Sequence, residues 1–347
     1  MPDLSIQSFL PQAAQYLQDA RPEGVPHWRA GLPWEITPLA QGEYNMNFLV
    51  SQDNQRWVLR VNTKSQIGLS NREQIRYEYQ TLSLLAPSGV APQPYFLDDS
   101  FDHLPYGVLG MQFFHGERLD YHRDLEAAAR LMARYHQLHI PLEKVHLIRE
   151  QRPLSLTYER CHRMLQVYFN SDLADPDLAP YLQEVIDWAD EARQQEAYFI
   201  QDPWPCIINT EVNNSNWILD REAETIHLVD WEKPLWGDPS QDLSHFRVPT
   251  TTLWKTDMRL TAGQQKAMMA AYKAALEDDH LRDTIEERTR LRDPFNCLRG
   301  VSWCAMAWVQ YQQGDHLLKN PDTFEKFSMY VDPAFVRSLF DPYLKGL

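Results

Sequence analysis

The chain has 347 residues, of which 44% are hydrophobic and 23% are charged, and its formal net charge is -15. This length allows two domains, or one large domain with two lobes, and the composition excludes wholesale disorder. The acidity argues against nucleic-acid partners and anionic membrane surfaces, while it allows a cationic substrate.

The first 114 residues are predicted to form an N-terminal lobe built on strands. Apolar residues at near-helical spacing predict one helix over residues 4–19 and a second over residues 71–86. The turn-rich connection Ser51-Gln-Asp-Asn-Gln55 lies between two apolar runs and predicts a β-hairpin. Strands are predicted at residues 48–50, 57–61, 95–97 and 108–114.

Residues 115–347 are predicted to form a larger, mostly helical C-terminal lobe. Leu125, Ala128 and Met132 lie on one stripe of a strongly amphipathic helix over residues 122–139. The predicted fold class is therefore α+β, with an antiparallel sheet in the N-terminal lobe. Further helices are predicted at residues 155–170, 177–199, 261–278 and 284–313, with short strands at 217–219 and 226–229.

Neither targeting signals nor cysteine pairs are apparent in the sequence. The opening Met-Pro-Asp-Leu-Ser lacks a basic and an apolar region, and no apolar stretch approaches the roughly 20 residues that span a bilayer. The 4 cysteines are far apart and form no CxxC pair, which argues against a disulfide framework or a structural zinc site. We expect a cytoplasmic protein that has no membrane partner.

The segment from residue 209 to residue 232 has the residue types of a metal-assisted phosphoryl-transfer site. Glu211 precedes Asn216 by five positions, and Asp230 ends a short apolar run. One acid can take the proton of an attacking hydroxyl, while the amide and the second acid hold Mg²⁺ against phosphates. Asn and Asp are also common turn formers at strand ends, but the upstream acid favours the metal site.

Earlier residues supply the other parts that a nucleotide kinase needs. Gly42-Glu-Tyr-Asn-Met-Asn47 lies where a phosphate-covering turn would be, although its single glycine is more typical of an ordinary hairpin turn. Arg60, on a predicted strand, either pairs with phosphates or faces outward. Glu78, on the following helix, either pins Arg60 through an ion pair or is merely solvated.

These motifs resemble those of the aminoglycoside phosphotransferase and choline kinase family, whose fold is similar to that of protein kinases. The family's His-Gly-Asp-x-x-x-x-Asn loop corresponds to Asn209-Thr-Glu-x-x-x-x-Asn216, and its metal-binding stretch to Val229-Asp-Trp-Glu232. The resemblance covers about residues 35–250. Further matches are Arg60, Glu78, Met111-Gln-Phe-Phe-His-Gly116, Leu131-Met-Ala-Arg-Tyr-His136 and Gly237-Asp-Pro-Ser-Gln-Asp-Leu243.

The resemblance implies a two-lobed kinase that uses ATP and Mg²⁺ and phosphorylates a hydroxyl of a small molecule. It makes Glu211 the acceptor-orienting base and makes Asn216 and Asp230 the metal ligands. Asp242 is implied to support the loop from behind. The implied nucleotide site consists of Gly42, Asn45, Arg60 and Glu78, with Gln112, Phe113 and Phe114 near adenine.

The sequence contains only weak indications of the acceptor substrate. Trp231 and Glu232 would suit an amine or a quaternary ammonium group through cation–π contact and charge. Tryptophans near a cleft, however, are more often packing residues. A cationic small molecule is thus one acceptor that the sequence allows.

The catalytic loop departs from the family, because Asn-Thr-Glu replaces all of His-Gly-Asp. The extra methylene of Glu211 moves its carboxylate by about 1.5 Å, and a misplacement near 1 Å can cost on the order of a hundredfold in rate. A catalytically weak or inactive kinase-like binding protein therefore stays open as an alternative. A protein kinase is less favoured, because Asp-Phe-Gly and Ala-Pro-Glu segments are missing.

Overall fold

The computed structural model describes residues 5–20, 23–26, 29, 31–42, 44–313 and 321–346, with the backbone alone at 321–324. These residues form two compact units. The sheet unit comprises the described residues up to Leu119, with Leu138–Ile148 and Asn216–Pro234. The helical unit comprises Asp120–Gln137, Arg149–Ser215 and the described residues from Leu235 onward. The lobe boundary after residue 114 stays a prediction.

Strands and helices are numbered here in chain order. The strands are β1 (Glu35–Gln41), β2 (Asn45–Gln52), β3 (Gln55–Asn62), β4 (Pro94–Asp98), β5 (Gly107–Gln112), β6 (Glu117–Arg118), β7 (Cys206–Ile208), β8 (Trp217–Asp220), β9 (Thr225–Leu228) and β10 (Leu235–Gly237). The helices are α1 (Ile6–Ala20), α2 (Asn71–Leu85), α3 (Leu125–His136), α4 (Pro153–Phe169), α5 (Leu178–Ala192), α6 (Ala197–Gln201), α7 (Ser240–Arg247), α8 (Pro249–Lys255), α9 (Ala262–Ala274), α10 (Asp279–Gln313), α11 (Pro321–Tyr330) and α12 (Pro333–Leu344).

The sheet unit is built on an antiparallel sheet in the order β1-β2-β3-β5-β4. The predicted hairpin is confirmed: β2 and β3 pair antiparallel and are joined by Asp53 and Asn54, and Asp53 adopts a positive φ of 52°. Both residue types tolerate this left-handed conformation. Phe48 and Leu59 are buried in a core that α1 covers with its own apolar face, including Phe9, Ala13 and Leu17.

Helix α2 begins with a capping box, which fixes the start of the helix. The Ser70 side chain accepts a hydrogen bond from the Glu73 backbone, and the Glu73 side chain accepts one from the Ser70 backbone. Two otherwise unpaired backbone donors are thereby satisfied. Two turns further on, Glu78 is 1% exposed, so α2 presents a carboxylate to the interior of the sheet unit.

The helical unit has a core formed around α4, α5 and α10. Leu165, Leu182 and Leu298 are fully buried there, as is Phe340 of α12. Helix α10 packs along α4 and contacts α7, which follows the Gly237-Asp-Pro segment. The helices predicted over 122–139, 155–170, 261–278 and 284–313 are confirmed as α3, α4, α9 and α10, with ends shifted by a few residues.

Two features of the helical unit differ from the sequence predictions. The helix predicted over 177–199 is interrupted by a 3-10 segment at Arg193–Glu196 between α5 and α6. Helices α7 and α8 are absent from the sequence predictions because their buried faces are mainly polar. Helix α7 buries Ser240, Gln241, Asp242 and Ser244 beside only two apolar residues, and α8 buries three threonines. In the described part of the chain no helix is both long and apolar enough to cross a membrane. The predicted α+β fold class is confirmed.

Candidate active site

Arg60 is the centre of a buried charge cluster in the sheet unit. Its side chain leaves β3 and is 5% exposed, and its Nε lies 2.9 Å from an oxygen of Glu78 on α2. Its Nη2 lies 2.8 Å from Asp230 and 3.3 Å from Glu232. The predicted pairing of Arg60 with Glu78 is thus present, and Arg60 does not face outward. We call Arg60, Glu78, Asp230 and Glu232 the Arg60 cluster.

The Arg60 cluster has more acidic groups than basic ones. Three carboxylates share one guanidinium, so the formal charge would be -2 if all were ionised. Burial, and then the charge of Asp230, raises the pKa of Glu232 to about 8. Burial also raises the pKa of Glu78, although Arg60 opposes this shift. Burial would lower the pKa of Arg60, but the neighbouring carboxylates raise it overall, so Arg60 stays charged.

Asn45 and its neighbours anchor Glu232 within the cluster. The amides of Asn45 and Gln66 each donate to a different oxygen of the Glu232 carboxylate. The amide of Gln74 donates to the Glu232 carbonyl at 2.6 Å. Gly42 donates its backbone N–H to the Asn45 carbonyl at 3.0 Å, which closes the turn predicted to cover phosphates. Residue 43 within that turn lies outside the described residues.

Asn216 and Asp230 lie at the same end of the β8–β9 hairpin. Asn216 directly precedes β8, and Asp230 follows β9 by one intervening residue. The Val229 N–H donates to the Asn216 carbonyl at 2.8 Å. Asp230 has a positive φ of 63°, and its side chain is 35% exposed although one oxygen contacts Arg60. A partly exposed end of the hairpin therefore carries one acidic residue and one amide residue.

The donor types at this hairpin end fit a hard cation. Carboxylate and amide oxygens are ligands of Mg²⁺, which normally keeps phosphate oxygens and waters as its remaining ligands. The Arg60 cluster has more acidic groups than Arg60 can balance, and those that ionise add a favourable field for a cation. Among residues that the structure describes, no group of three or more His, Cys, Asp or Glu side chains could hold a metal. A cation here would thus depend on few protein ligands.

The 209–211 loop, in the helical unit, is held by a fully buried carboxylate. Asp242 on α7 accepts hydrogen bonds from the backbone N–H groups of Asn209 at 2.7 Å and Thr210 at 2.8 Å. The Tyr135 hydroxyl donates to it at 2.6 Å, and a ring nitrogen of His136 lies 3.3 Å away. Burial would raise the pKa of Asp242, but the contacts with His136, Tyr135 and Asn209 lower it overall.

Glu211 follows a residue in the left-handed backbone region. Thr210, at the position of the glycine in the motif quoted above, has a φ of 72°. Glycine reaches this conformation without strain, whereas a β-branched residue does not. The Asn209 side chain accepts the Glu211 N–H at 3.0 Å, and the Glu211 carboxylate forms an ion pair with Arg299 of α10. Arg299 was not predicted, because it lies 88 residues away along the chain.

The predicted adenine-contacting residues lie at and just after the end of β5. Gln112 ends β5, and its N–H donates to the Gln93 carbonyl at 2.8 Å. The Phe113 ring lies 5.7 Å from the Arg56 guanidinium. Phe114 stacks on His227 with ring centroids 3.7 Å apart, so one face of its ring is already covered. His227 is a further residue of this region that the sequence did not suggest.

Trp231 is a packing residue in this structure. Its side chain is 0% exposed, and its indole N–H donates to the Leu228 carbonyl at 2.8 Å. A ring that is fully buried presents no face to a bound ammonium group. The geometry agrees with the packing alternative that the sequence left open, and the suggested substrate contact of Trp231 finds no support here.

Comparisons with known proteins agree on one fold. The ethanolamine kinase of Plasmodium vivax matches 89% of this chain and 83% of its own, at 14% identity and a TM-score of 0.60. The choline kinase of Cryptosporidium parvum matches 92% and 94%, at 13% identity and a TM-score of 0.61. A spectinomycin phosphotransferase, solved with ADP and spectinomycin, matches 90% and 93%, at 12% identity and a TM-score of 0.61.

The sequence itself gives the family. No curated protein sequence matches significantly, and identities this low in solved structures show the fold alone. A family model nevertheless matches residues 35–287, which is most of the chain and includes the Arg60 cluster and the 209–211 loop. Membership in the family that this model describes supports the function of a small-molecule phosphotransferase. The chain belongs to the phosphotransferase enzyme family.

Proposed function

We propose that this protein transfers the γ-phosphoryl group of ATP, with Mg²⁺, to a hydroxyl group of a small molecule. The observation that carries the proposal is the Arg60 cluster. The charged guanidinium of Arg60 is held by Glu78 and lies beside the partly exposed carboxylate of Asp230 at the hairpin end. Phosphoryl transfer depends on positioning and on neutralising phosphate charge rather than on covalent chemistry, and this cluster supplies both kinds of group.

Asn216 and Asp230 would hold the metal ion in this proposal. When bound, Mg²⁺ neutralises charge on the phosphates of ATP. Arg60 would contact phosphate through its donors, because its planar guanidinium suits phosphate oxygens. Glu78 would keep the guanidinium in place. Burial of both partners supports this role, since an exposed pair would be more mobile.

ATP would be held by backbone as well as by side chains. We assign the turn between Gly42 and Asn45 to the phosphates and the backbone of Gln112, Phe113 and Phe114 to adenine. The hydrogen bond that closes the Gly42–Asn45 turn supports the first assignment. Because Phe114 stacks on His227, its side chain would border the base with an edge or with its remaining face.

Glu211 would orient the acceptor hydroxyl and accept its proton. Its reference pKa differs from that of aspartate by only about 0.4, so the change of residue type alters reach more than acidity. A loose transition state makes little demand on the strength of the base. The backbone hydrogen bonds of the 209–211 loop support a fixed origin for this side chain.

A two-step experiment tests the function. Mg·ATP should raise the thermal unfolding midpoint, because a ligand that binds only the folded state stabilises it. ADP formation is then measured with choline, ethanolamine and spectinomycin, which the names of similar structures suggest, and with neutral sugars. We expect turnover with at least one acceptor and none when EDTA replaces Mg²⁺.

The departure at residues 209–211 favours one competing function. If Mg·ATP binds but no acceptor in a broad panel is phosphorylated, the protein is a kinase-like nucleotide-binding protein without catalysis. If Mg·ATP does not bind at all, both readings fail. Matched binding measurements with ADP and with GTP define the nucleotide that the site accepts.

A further inference from the structure

Arg299 contacts both the side chain and the backbone of the 209–211 loop. Its Nη2 forms the ion pair with the Glu211 carboxylate, and its Nη1 donates to the Thr210 carbonyl at 3.3 Å. The side chains of Arg299 and Glu211 are 32% and 26% exposed, so both are partly withdrawn from solvent. One guanidinium thus links the charged end of Glu211 to the backbone of the preceding residue.

The helix that carries Arg299 is tied to the helix that carries Asp242. On α10, the Asn296 amide donates to the Ser244 hydroxyl at 2.9 Å, and its oxygen accepts from the Gln241 amide at 2.9 Å. Asp242 lies between these two residues on α7. The backbone of the 209–211 loop and the Glu211 carboxylate are therefore fixed by two helices that are joined to each other.

Close packing next to Arg299 also limits movement of α10. Gly300 lies against α8, and a Cβ at this position would come within 2.7 Å of the Thr250 Cβ. Only glycine allows this approach, so close packing fixes the distance between α10 and α8 at this point. Arg299 consequently extends from a backbone whose position is well defined.

A glutamate needs such a partner more than an aspartate does. Its extra methylene adds a rotatable bond, so more side-chain freedom must be lost before the carboxylate occupies one position. A guanidinium holds a carboxylate through a rigid planar fork, which restricts both distance and direction. A glutamate at residue 211 can therefore do the work of an aspartate when Arg299 of α10 restrains its carboxylate. An aspartate would need less restraint.

We propose that Arg299 is a positioning residue that fixes the Glu211 carboxylate for the acceptor hydroxyl. The inference rests on the proposed function for its effect on rate, but the pairing itself does not. Arg299 acts through Glu211 and contacts neither nucleotide nor metal in this account. The pair does not weaken the reaction, because the orientation of the hydroxyl matters more than the strength of the base.

The kinetic test compares Arg299→Gln, Arg299→Lys and a control, Arg290→Gln, on the same helix. Arg290 pairs only with Glu287 three residues away in the described structure, and both are largely exposed. With an acceptor that the panel identifies, Arg299→Gln should lower kcat by about 10- to 100-fold, with the KM for Mg·ATP nearly unchanged. Arg299→Lys should recover part of the loss, and Arg290→Gln should behave as wild type.

Glu211→Gln shows whether Arg299 acts through Glu211. If it does, Glu211→Gln combined with Arg299→Gln should be no slower than Glu211→Gln alone. Losses that multiply in the double variant would overturn the inference. So would a KM increase for Mg·ATP with an unchanged kcat, since that would place Arg299 in nucleotide binding.

Urea unfolding tests the pairing without any turnover. The four proteins compared are wild type, Arg299→Gln, Glu211→Gln and the variant that combines both substitutions. Each single substitution should lower the urea concentration at the unfolding midpoint. The double variant should lose less than the sum of the two single losses, because each substitution already breaks the pair. Fully additive losses would overturn the pairing even in an active enzyme. If wild type phosphorylates nothing but the losses are non-additive, the proposed function fails while the restraint of Glu211 by Arg299 stands.

Discussion

The Arg60 cluster and the 209–211 loop are held in place by opposite means. In the sheet unit, side chains from β3, α2 and the segment after β9 hold one another through charge. In the helical unit, the backbone N–H groups of Asn209 and Thr210 donate to the buried Asp242 carboxylate, and the Glu211 N–H donates to the Asn209 side chain. The first arrangement depends on which side chains are present, whereas the second depends mainly on Asp242.

This difference is a physical reason why the two regions can resemble the motifs quoted above to unequal degrees. A cluster of paired charges tolerates little change, because removing one partner leaves a buried charge uncompensated. A loop held through its N–H groups can change its side chains, since every residue other than proline offers the same donor. Asn-Thr-Glu can thus stand where His-Gly-Asp is usual while the loop remains anchored.

The largest effect is expected from Asp230→Asn in the Arg60 cluster. Loss of this charge removes a proposed metal ligand and a partner of Arg60, and turnover should fall by about 100- to 1,000-fold. The Mg²⁺ concentration for half-maximal rate should rise. Asp257→Asn is the control, because that side chain is fully exposed. Wild-type metal dependence in Asp230→Asn would show that the metal site is elsewhere.

Asp242→Asn should release the 209–211 loop from its anchor and leave the Arg60 cluster intact. The change weakens several hydrogen bonds to a buried charge, and the free energy of unfolding should fall by about 2–3 kcal/mol in urea titrations. The matched variant is Asp341→Asn, because Asp341 also accepts from a tyrosine, Tyr181, but is 30% exposed. Equal losses in the two variants would contradict the special role of Asp242.

The lowered pKa of Asp242 also fixes the direction of a pH effect. Its stabilising contribution is fully present above the unfolded-state pKa and is lost as the pH falls through the lower folded-state pKa. The difference in unfolding free energy between wild type and Asp242→Asn should therefore shrink only in strongly acidic solution. A difference that shrank on the alkaline side would contradict this assignment.

Metal binding should be coupled to proton release from Glu232. Its pKa of about 8 leaves it protonated at pH 7 in the free protein. A bound cation favours the ionised form, so adding Mg²⁺ to the ATP-bound protein at pH 7 should release up to about one proton. Calorimetry in buffers of different ionisation enthalpy measures this number. The release should vanish in Glu232→Gln and fall to about a tenth in wild type at pH 9, and an unchanged release in either would refute the linkage.

The smallest effect is expected from Thr210→Gly. Relief of the positive φ gains about 1 kcal/mol, while the added freedom of the unfolded chain costs about as much. The free energy of unfolding should change by less than about 1 kcal/mol, and kcat should change little. A large loss of stability would show that the Thr210 side chain, and not the loop backbone, holds this region.

The sequence predicted the parts of the site that local patterns encode. Arg60 on a strand, Glu78 on the next helix, and Asn216 and Asp230 beside strand ends follow from alternation, helical spacing and turn chemistry. It did not predict Arg299 or the His227–Phe114 stack, because both contacts join residues far apart in the chain. Helix α7 was not predicted because its buried face is mainly polar, with only Leu243 and Phe246 as apolar members.

Our main claim is that this chain transfers phosphate and that the Glu211 carboxylate takes part in the transfer. The most direct measurement uses γ-labelled ATP with the acceptor panel, and compares wild type with Glu211→Gln after Mg·ATP binding is verified for both. We predict labelled product from wild type and a loss of about a hundredfold or more in Glu211→Gln at equal Mg·ATP affinity. Labelled product formed equally fast by both proteins, or by neither, would contradict the claim.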